Sequence, residues 1–341
     1  MQGETMRAWA VDDPGPIDSH RLREIVRAIP EPGPGQVRVE VRACGVCRTD
    51  LHLAEGDLSP RRQLVIPGHE VVGVVDRLGP NCGLFAVGDR VGVPWLARTC
   101  GECAYCTSGR ENLCLTPLFT GWDVDGGYAP YVVADERYAY SIPAAFTDEH
   151  AAPLLCAGII GYRALKRAEL PPGGRLGIYG FGASAHLTAQ IAIAAGARVH
   201  VLTRAPDAQR LALELGASSA RGAYDAPPEP LDAAILFAPV GTLVPPALAA
   251  LDRGGTLAIA GIYLSDIPTL IYADHLFEER TLRSVTANTR QDGTEFLALA
   301  AAIPVRVQTT PYPLDRANDA LSDLANDRIN GAAVLIADGR A

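Results

Sequence analysis

The chain has 341 residues, 48% of them hydrophobic and 20% charged, with 34 glycines, 26 prolines and eight cysteines. At roughly 100–200 residues per domain that length predicts two domains, each able to bury a core, and the composition excludes a disordered or collagen-like chain. Thirty Lys+Arg against 39 Asp+Glu give a net charge of −9, which excludes nucleic acid as a partner because no positive field gathers phosphate backbones.

In chain order, the N-terminal MQGETMRAWAVDDPG lacks a basic segment followed by an apolar run, and every apolar stretch is interrupted well short of about 18 residues. A cytoplasmic protein without a membrane segment is expected. Gln36–Val41 alternates Val37, Val39 and Val41 with Arg38 and Glu40, the period of a half-buried strand. Similar runs at Val71–Asp76, Arg90–Val93 and Tyr128–Asp135, separated by turn residues, make the first 150 residues mostly β. His150–Glu169 changes to three- and four-residue spacing through Leu154, Leu155, Ile159, Tyr162 and Leu165. One helix is predicted there, stopped by Pro171-Pro172-Gly173-Gly174.

Strands then alternate with helices. Strands are read at Leu176–Gly180, Val199–Thr203, Ala233–Phe237 and Thr256–Ala260, and helices at Ala183–Ala195, Ala208–Leu215 and Val244–Leu251. That alternation predicts an α/β fold with a parallel, doubly wound sheet. Helical patterns at Gly293–Ala302 and Leu314–Ala325 precede Ala332–Ala337, a strand expected to return to the β-rich half.

In a reducing compartment, clustered cysteines point to metal or chemistry before disulfides. Cys100, Cys103, Cys106 and Cys114 follow the spacing Cys-x2-Cys-x2-Cys-x7-Cys. Four thiolates satisfy tetrahedral zinc, and short spacings let one loop supply them at little entropic cost. With four sulfur ligands no position is open to substrate, so this zinc is expected to be structural. Disulfides or an iron–sulfur cluster are the disfavoured alternatives, the latter because ferredoxin spacings differ.

A second set is more dispersed: Cys44-Gly45-Val46-Cys47-Arg48-Thr49-Asp50-Leu51-His52, then Pro67-Gly68-His69-Glu70, then Cys156 within Pro153-Leu154-Leu155-Cys156-Ala157-Gly158. Two cysteines and a histidine make the three-ligand set of a catalytic zinc that keeps an open position. Gly180-Phe181-Gly182-Ala183-Ser184-Ala185 follows a strand and opens a helix, the context a dinucleotide turn requires. Gly180 is expected to make the tight turn and Gly182 to let backbone N–H groups reach a pyrophosphate, with Ala185 where the third glycine often stands.

On GVCRTDLH, PGHE, the four-cysteine lobe, PLLCAG and the glycine-rich turn, in that order, the chain resembles the zinc-dependent medium-chain alcohol dehydrogenases over nearly its full length. The resemblance implies a β-rich GroES-like catalytic domain with a zinc lobe at 1–156, a Rossmann nucleotide-binding domain at 157–288 and a return to the catalytic domain at 289–341. It implies two zinc ions per chain, the catalytic one held by Cys47, His69 and Cys156 with Glu70 as a movable fourth ligand. Asp50 matches the acid that orients His69, Thr49 the hydroxyl that bonds the substrate oxygen, and His52 the outer end of the proton relay. Arg48 matches a position that contacts the cofactor pyrophosphate. Cys44 and Cys82 match no ligand and are expected as small buried residues.

For the adenine ribose, the second strand ends in Thr203-Arg204 where NAD-type chains carry an acid. A guanidinium binds a 2′-phosphate bidentately, which favours NADP over NAD. Trp95 and Trp122 flank the lobe at positions that face substrate in the family, so an apolar or aromatic alcohol or aldehyde is expected. A homodimer or homotetramer is implied by the resemblance alone. The competing readings are a zinc-free quinone or enone reductase, which has no use for the Cys47, His69 and Cys156 set, a polyol dehydrogenase, in which an acid often replaces the cysteine of PLLCAG, and a redox sensor that binds NADP without turnover.

Overall fold

The alternating valines of Gln36–Val46 do build a strand, with Val37, Val39 and Val41 buried. A computed structural model describes residues 4–17, 20–303 and 305–337 of the chain. Residues 1–3 and 338–341, the outer ends of the expected 1–156 and 289–341 segments, lie outside the described residues.

The chain divides into two compact units, one of Met1–Cys156, Ala287–Leu297 and Val307–Ala341, the other of Ala157–Thr286 and Ala298–Arg306. Ala298–Arg306 therefore groups with the second unit, whereas 289–341 as a whole was expected to return to the first.

In the first unit, Gln36–Val46 is the central strand of a seven-stranded sheet. It pairs antiparallel with Val71–Leu78 and Tyr131–Asp135, and on its far half with Ala332–Ile336. The C-terminal strand does return to the β-rich half, because its four buried residues find an antiparallel partner there. Register shifts after Arg38 and after Val41 bend the central strand. Its last residues run directly into the helix Arg48–Glu55, for which the sequence reading had no element.

The second unit is a six-stranded, wholly parallel sheet. Its order is Ser219–Arg221, Arg198–Leu202, Arg175–Tyr179, Leu231–Leu236, Leu251–Ile259, Thr281–Ser284. This is the Rossmann order, with the first strand at the centre and the chain winding outward to each side. Alternation divides the apolar side chains between its faces: Ile178, Val201, Ala233 and Ile235 pack on one, and Tyr179, Leu202, Ala234 and Leu236 on the other. Both faces are covered, which is why these strands read as near-continuous apolar runs.

The single helix expected over His150–Glu169 is instead three pieces: Asp148–Ala151, a 3-10 turn Ala152–Leu155, and Ala157–Ala168. Pro153 has no N–H to continue the first helix, and Cys156 at φ −127°, ψ −68° is out of helical geometry between the second and third. The apolar spacing persists across the break, which hid it. Among the described residues no helix is long and apolar enough to cross a membrane.

Candidate metal centres and nucleotide turn

Gln36–Val46 and the helix that follows it fix the first group of side chains. Cys47 caps the helix Arg48–Glu55, and Asp50, one turn in, accepts from Cys47 N at 2.9 Å. The same carboxylate accepts from Gly68 N at 3.0 Å and lies 3.2 Å from His69 Nδ1, with Tyr128 Oη 3.4 Å away. Asp50 is 2% exposed, so three segments converge on one buried acid. An ionised carboxylate only accepts, so His69 donates through Nδ1 and turns Nε2 toward Cys47, Glu70 and Cys156.

The ligand atoms of Cys47, His69, Glu70 and Cys156 all lie within 4.8 Å of one another, and the two sulfurs are 4.0 Å apart. His69 and Glu70 are 1% and 3% exposed. His69 Nε2 is buried and, among the described residues, has no hydrogen-bond partner. Leaving such an atom unsatisfied costs about 1–3 kcal/mol, and a cation placed among these donors removes that cost. The Cys156 thiol, with His69, holds Cys47 well below the usual thiol range, against burial, and Asp50 with Cys47 pushes His69 up, also against burial. Cys156 is pushed up as the donor of that pair, and burial pushes Glu70 up. The donor set of two sulfurs, one imidazole and one carboxylate fits zinc.

The four lobe cysteines are also assembled. Sulfur separations are 3.9 Å for Cys100 and Cys106, 3.6 Å for Cys103 and Cys106, and 3.5 Å for Cys100 and Cys114. A tetrahedral ion with about 2.3 Å bonds places its sulfurs roughly 3.8 Å apart, whereas a disulfide needs about 2.05 Å. Backbone N–H groups of Cys100 and Thr116 donate to Cys114 Sγ at 3.4 Å, and that of Cys103 to Cys100 Sγ at 3.4 Å. N–H groups of Cys106 and Leu115 lower the Cys103 thiol to about 6. Cys114 is lowered as well, and Cys106 is pushed up to about 11 by burial and by the Cys103 and Cys114 sulfurs; amides turned onto sulfur fit a closed zinc site.

In the other unit, Gly180 closes the first strand at φ +84°, and a Cβ there would stand 2.9 Å from Ala238 N. Only glycine fits. Gly182 caps the helix Ala183–Ala194, and the space where its side chain would be is open to 4 Å. Open space at a helix N-terminus is what a pyrophosphate requires. Ala185 is fully buried at the helix–strand contact. His186 donates through Nδ1 to Gly182 O at 3.2 Å, and burial lowers it to about 4, so it enters this turn as a neutral ring.

A known domain family, alcohol dehydrogenase GroES-like domain, matches residues 33–144. A probable alcohol dehydrogenase, AdhA, of Mycobacterium tuberculosis is 58% identical over 337 residues, 97% of each chain. The chain belongs to the zinc-dependent medium-chain alcohol dehydrogenases. Solved structures agree with the fold of this dehydrogenase. A cinnamyl alcohol dehydrogenase from Sorghum bicolor has a TM-score of 0.88 at 27% identity, covering 98% of both chains. A cobalt- and zinc-bound thermostable alcohol dehydrogenase from Pyrobaculum aerophilum has 0.86 at 25%, covering 98% of this chain and all of the other.

Thr49 Oγ1 is 3.7 Å from Cys47 Sγ, beside the Cys47, His69, Glu70 and Cys156 cluster. His52 Nδ1 is 3.0 Å from Asp57. Arg48 Nη2 forms a 2.6 Å ion pair with Asp327. Trp95 meets His69 edge-on at 4.9 Å and stacks on Trp122 at 6.0 Å. Phe119 stacks on both indoles at 4.7 and 5.9 Å, a member of this wall that the sequence reading missed. Only its closeness to Trp122 in the chain could have pointed to it. Cys44 is buried as expected, but Cys82 is half-buried and donates to Gln36 O at 3.1 Å. Arg204 is exposed at the end of its strand, and Thr203 N donates to Arg221 O, which brings a second arginine's backbone alongside.

Proposed function

We propose that this dehydrogenase transfers hydride between an alcohol and NADP(H), with NAD(H) the weaker cofactor, and holds two zinc ions per chain. The observation that carries the reading is the buried Nε2 of His69, without a hydrogen-bond partner among the described residues, amid two sulfurs and a carboxylate. Cys47, His69 and Cys156, with Glu70 as the exchangeable group, hold the catalytic ion; Cys100, Cys103, Cys106 and Cys114 hold the structural one. The catalytic ion supplies a Lewis acid for the substrate oxygen. Asp50 keeps His69 in the ligating tautomer. Thr49 would bond the substrate hydroxyl and accept its proton while passing its own hydroxyl hydrogen along the relay, at whose outer end His52 would deliver a proton to water.

The stacked wall of Trp95, Phe119 and Trp122 beside His69 favours an apolar, flat substrate such as an aromatic or unsaturated alcohol or its aldehyde. Arg204 is the group read as binding a 2′-phosphate. The exposed Ile262, Tyr263, Ile271, Tyr272 and Phe277 support a homodimer or homotetramer. Cysteines gathered for metal rather than joined in disulfides support residence in the reducing cytoplasm.

The test is a panel of alcohols and aldehydes with NAD and NADP, with and without a strong zinc chelator. Chelator-sensitive turnover supports the reading, and NADP binding without turnover across the panel overturns it in favour of a sensor. In the same assay Arg204→Ala weakens NADP about tenfold or more, the worth of a charge-assisted contact at about 1.5–3 kcal/mol, and leaves NAD nearly unchanged. Equal losses for both cofactors reject NADP preference.

A further inference from the structure

We propose that Asp57 is a positioning residue that decides which nitrogen of His52 exchanges protons, an inference that rests on the reading of His52 as the outer member of the relay. The helix Arg48–Glu55 carries His52 in its last turn and ends at Gly56, whose φ of +92° turns the chain back. Gly56 N and Leu58 N both donate to His52 O at 3.0 Å, so the loop folds over the residue it has just left. That return brings Asp57 Oδ2 to 3.0 Å from His52 Nδ1. A carboxylate accepts and does not donate, so the hydrogen sits on Nδ1 and the neutral ring offers Nε2 as its acceptor.

The side chains of His52 and Asp57 are 16% and 39% exposed, which puts the pair at the edge of solvent, where a relay must deliver its proton. Glu55 joins the same cluster, with the three ligand-type atoms within 4.8 Å. Without Asp57 the ring divides between two tautomers, and only one of them can accept a proton through Nε2.

The test uses the zinc-loaded dehydrogenase with 15N-labelled histidine, the His52 signals being assigned with His52→Gln. His52 is expected in the Nδ1–H tautomer, and Asp57→Ala is expected to mix the two. In turnover, Asp57→Ala lowers kcat about threefold to tenfold, a fraction of what a positioned acid–base group contributes, with KM, zinc content and melting temperature unchanged. In the His52→Gln background the same substitution adds no further loss. An unchanged tautomer in Asp57→Ala, or an equal loss with and without His52, overturns the proposal. If Asp57→Ala is silent while His52→Gln slows turnover, Asp57 alone is rejected. If His52→Gln itself leaves turnover unchanged, the relay reading fails and the Asp57 role falls with it.

Discussion

Cys100, Cys103, Cys106 and Cys114 come from one short loop, all but Cys114 only half-buried, and their sulfurs are held by the loop's own amides. Cys47, His69, Glu70 and Cys156 come from three separate segments, and a buried Asp50 locks two of those segments together. The first arrangement is cheap to close and complete with sulfur, so the ion it fits can do little but hold the loop. The second needs the whole sheet to assemble it. It mixes donor types and places Thr49 Oγ1 and the Trp95 ring beside those donors. A site that must stay open cannot rely on its own ligands for rigidity, and the supporting acid takes over that task.

The sharpest way to break the contrast is to remove one sulfur from each. Cys47→Ser is expected to abolish about one zinc per chain and to lower turnover by three or more powers of ten, the worth of several kcal/mol of charge stabilisation, while the fold persists. Cys103→Ser is expected to remove a different zinc and roughly 2–4 kcal/mol of stability, with the residual turnover limited by how much protein stays folded. Metal analysis and thermal melting of both variants decide the matter. Unchanged zinc content in both rejects the two-site reading, and equal stability losses reject the division of labour.

The same contrast governs how much was legible in the sequence. The lobe's spacing is local, so four candidate ligands could be named from one line of residues. The open site spans Cys47 to Cys156, and only the resemblance joined its parts; spacing alone could not. The parallel sheet was legible because strands covered on both faces read as apolar runs between helical patterns. What was lost depends on through-space partners. The helix break at Cys156 is masked by apolar spacing that continues through it. Asp57 carries no motif, since its role comes from a turn at Gly56. Arg48 matched a cofactor position in sequence, and its ion pair with the distant Asp327 is visible only in three dimensions.

A smaller effect tests whether the lobe is as self-contained as its spacing implies. Glu111 lies between Cys106 and Cys114, and its carboxylate accepts from Arg290 N at 2.7 Å, Nε at 3.0 Å and Nη2 at 2.7 Å. The Arg290 guanidinium lies 4.7 Å over the Tyr138 ring, and the Tyr138 hydroxyl bonds Thr99 Oγ1 at 2.7 Å, one residue before Cys100. Both ends of the lobe are therefore fastened to one Arg–Tyr pair. Burial alone would raise the Glu111 carboxyl, but Arg290 overcomes it and holds the group below the usual 4.5. A depressed carboxyl contributes its stability fully above the unfolded value and loses it as the pH falls through the folded one. Glu111→Gln should accordingly lower stability by about 1–2 kcal/mol at neutral pH with zinc content intact, and the gap from the native chain should close below about pH 4.5. Melting curves between about pH 7 and pH 3 measure it. A gap that does not change with pH removes Arg290 as the anchor, and a loss of zinc at neutral pH means the four sulfurs do not hold their loop unaided.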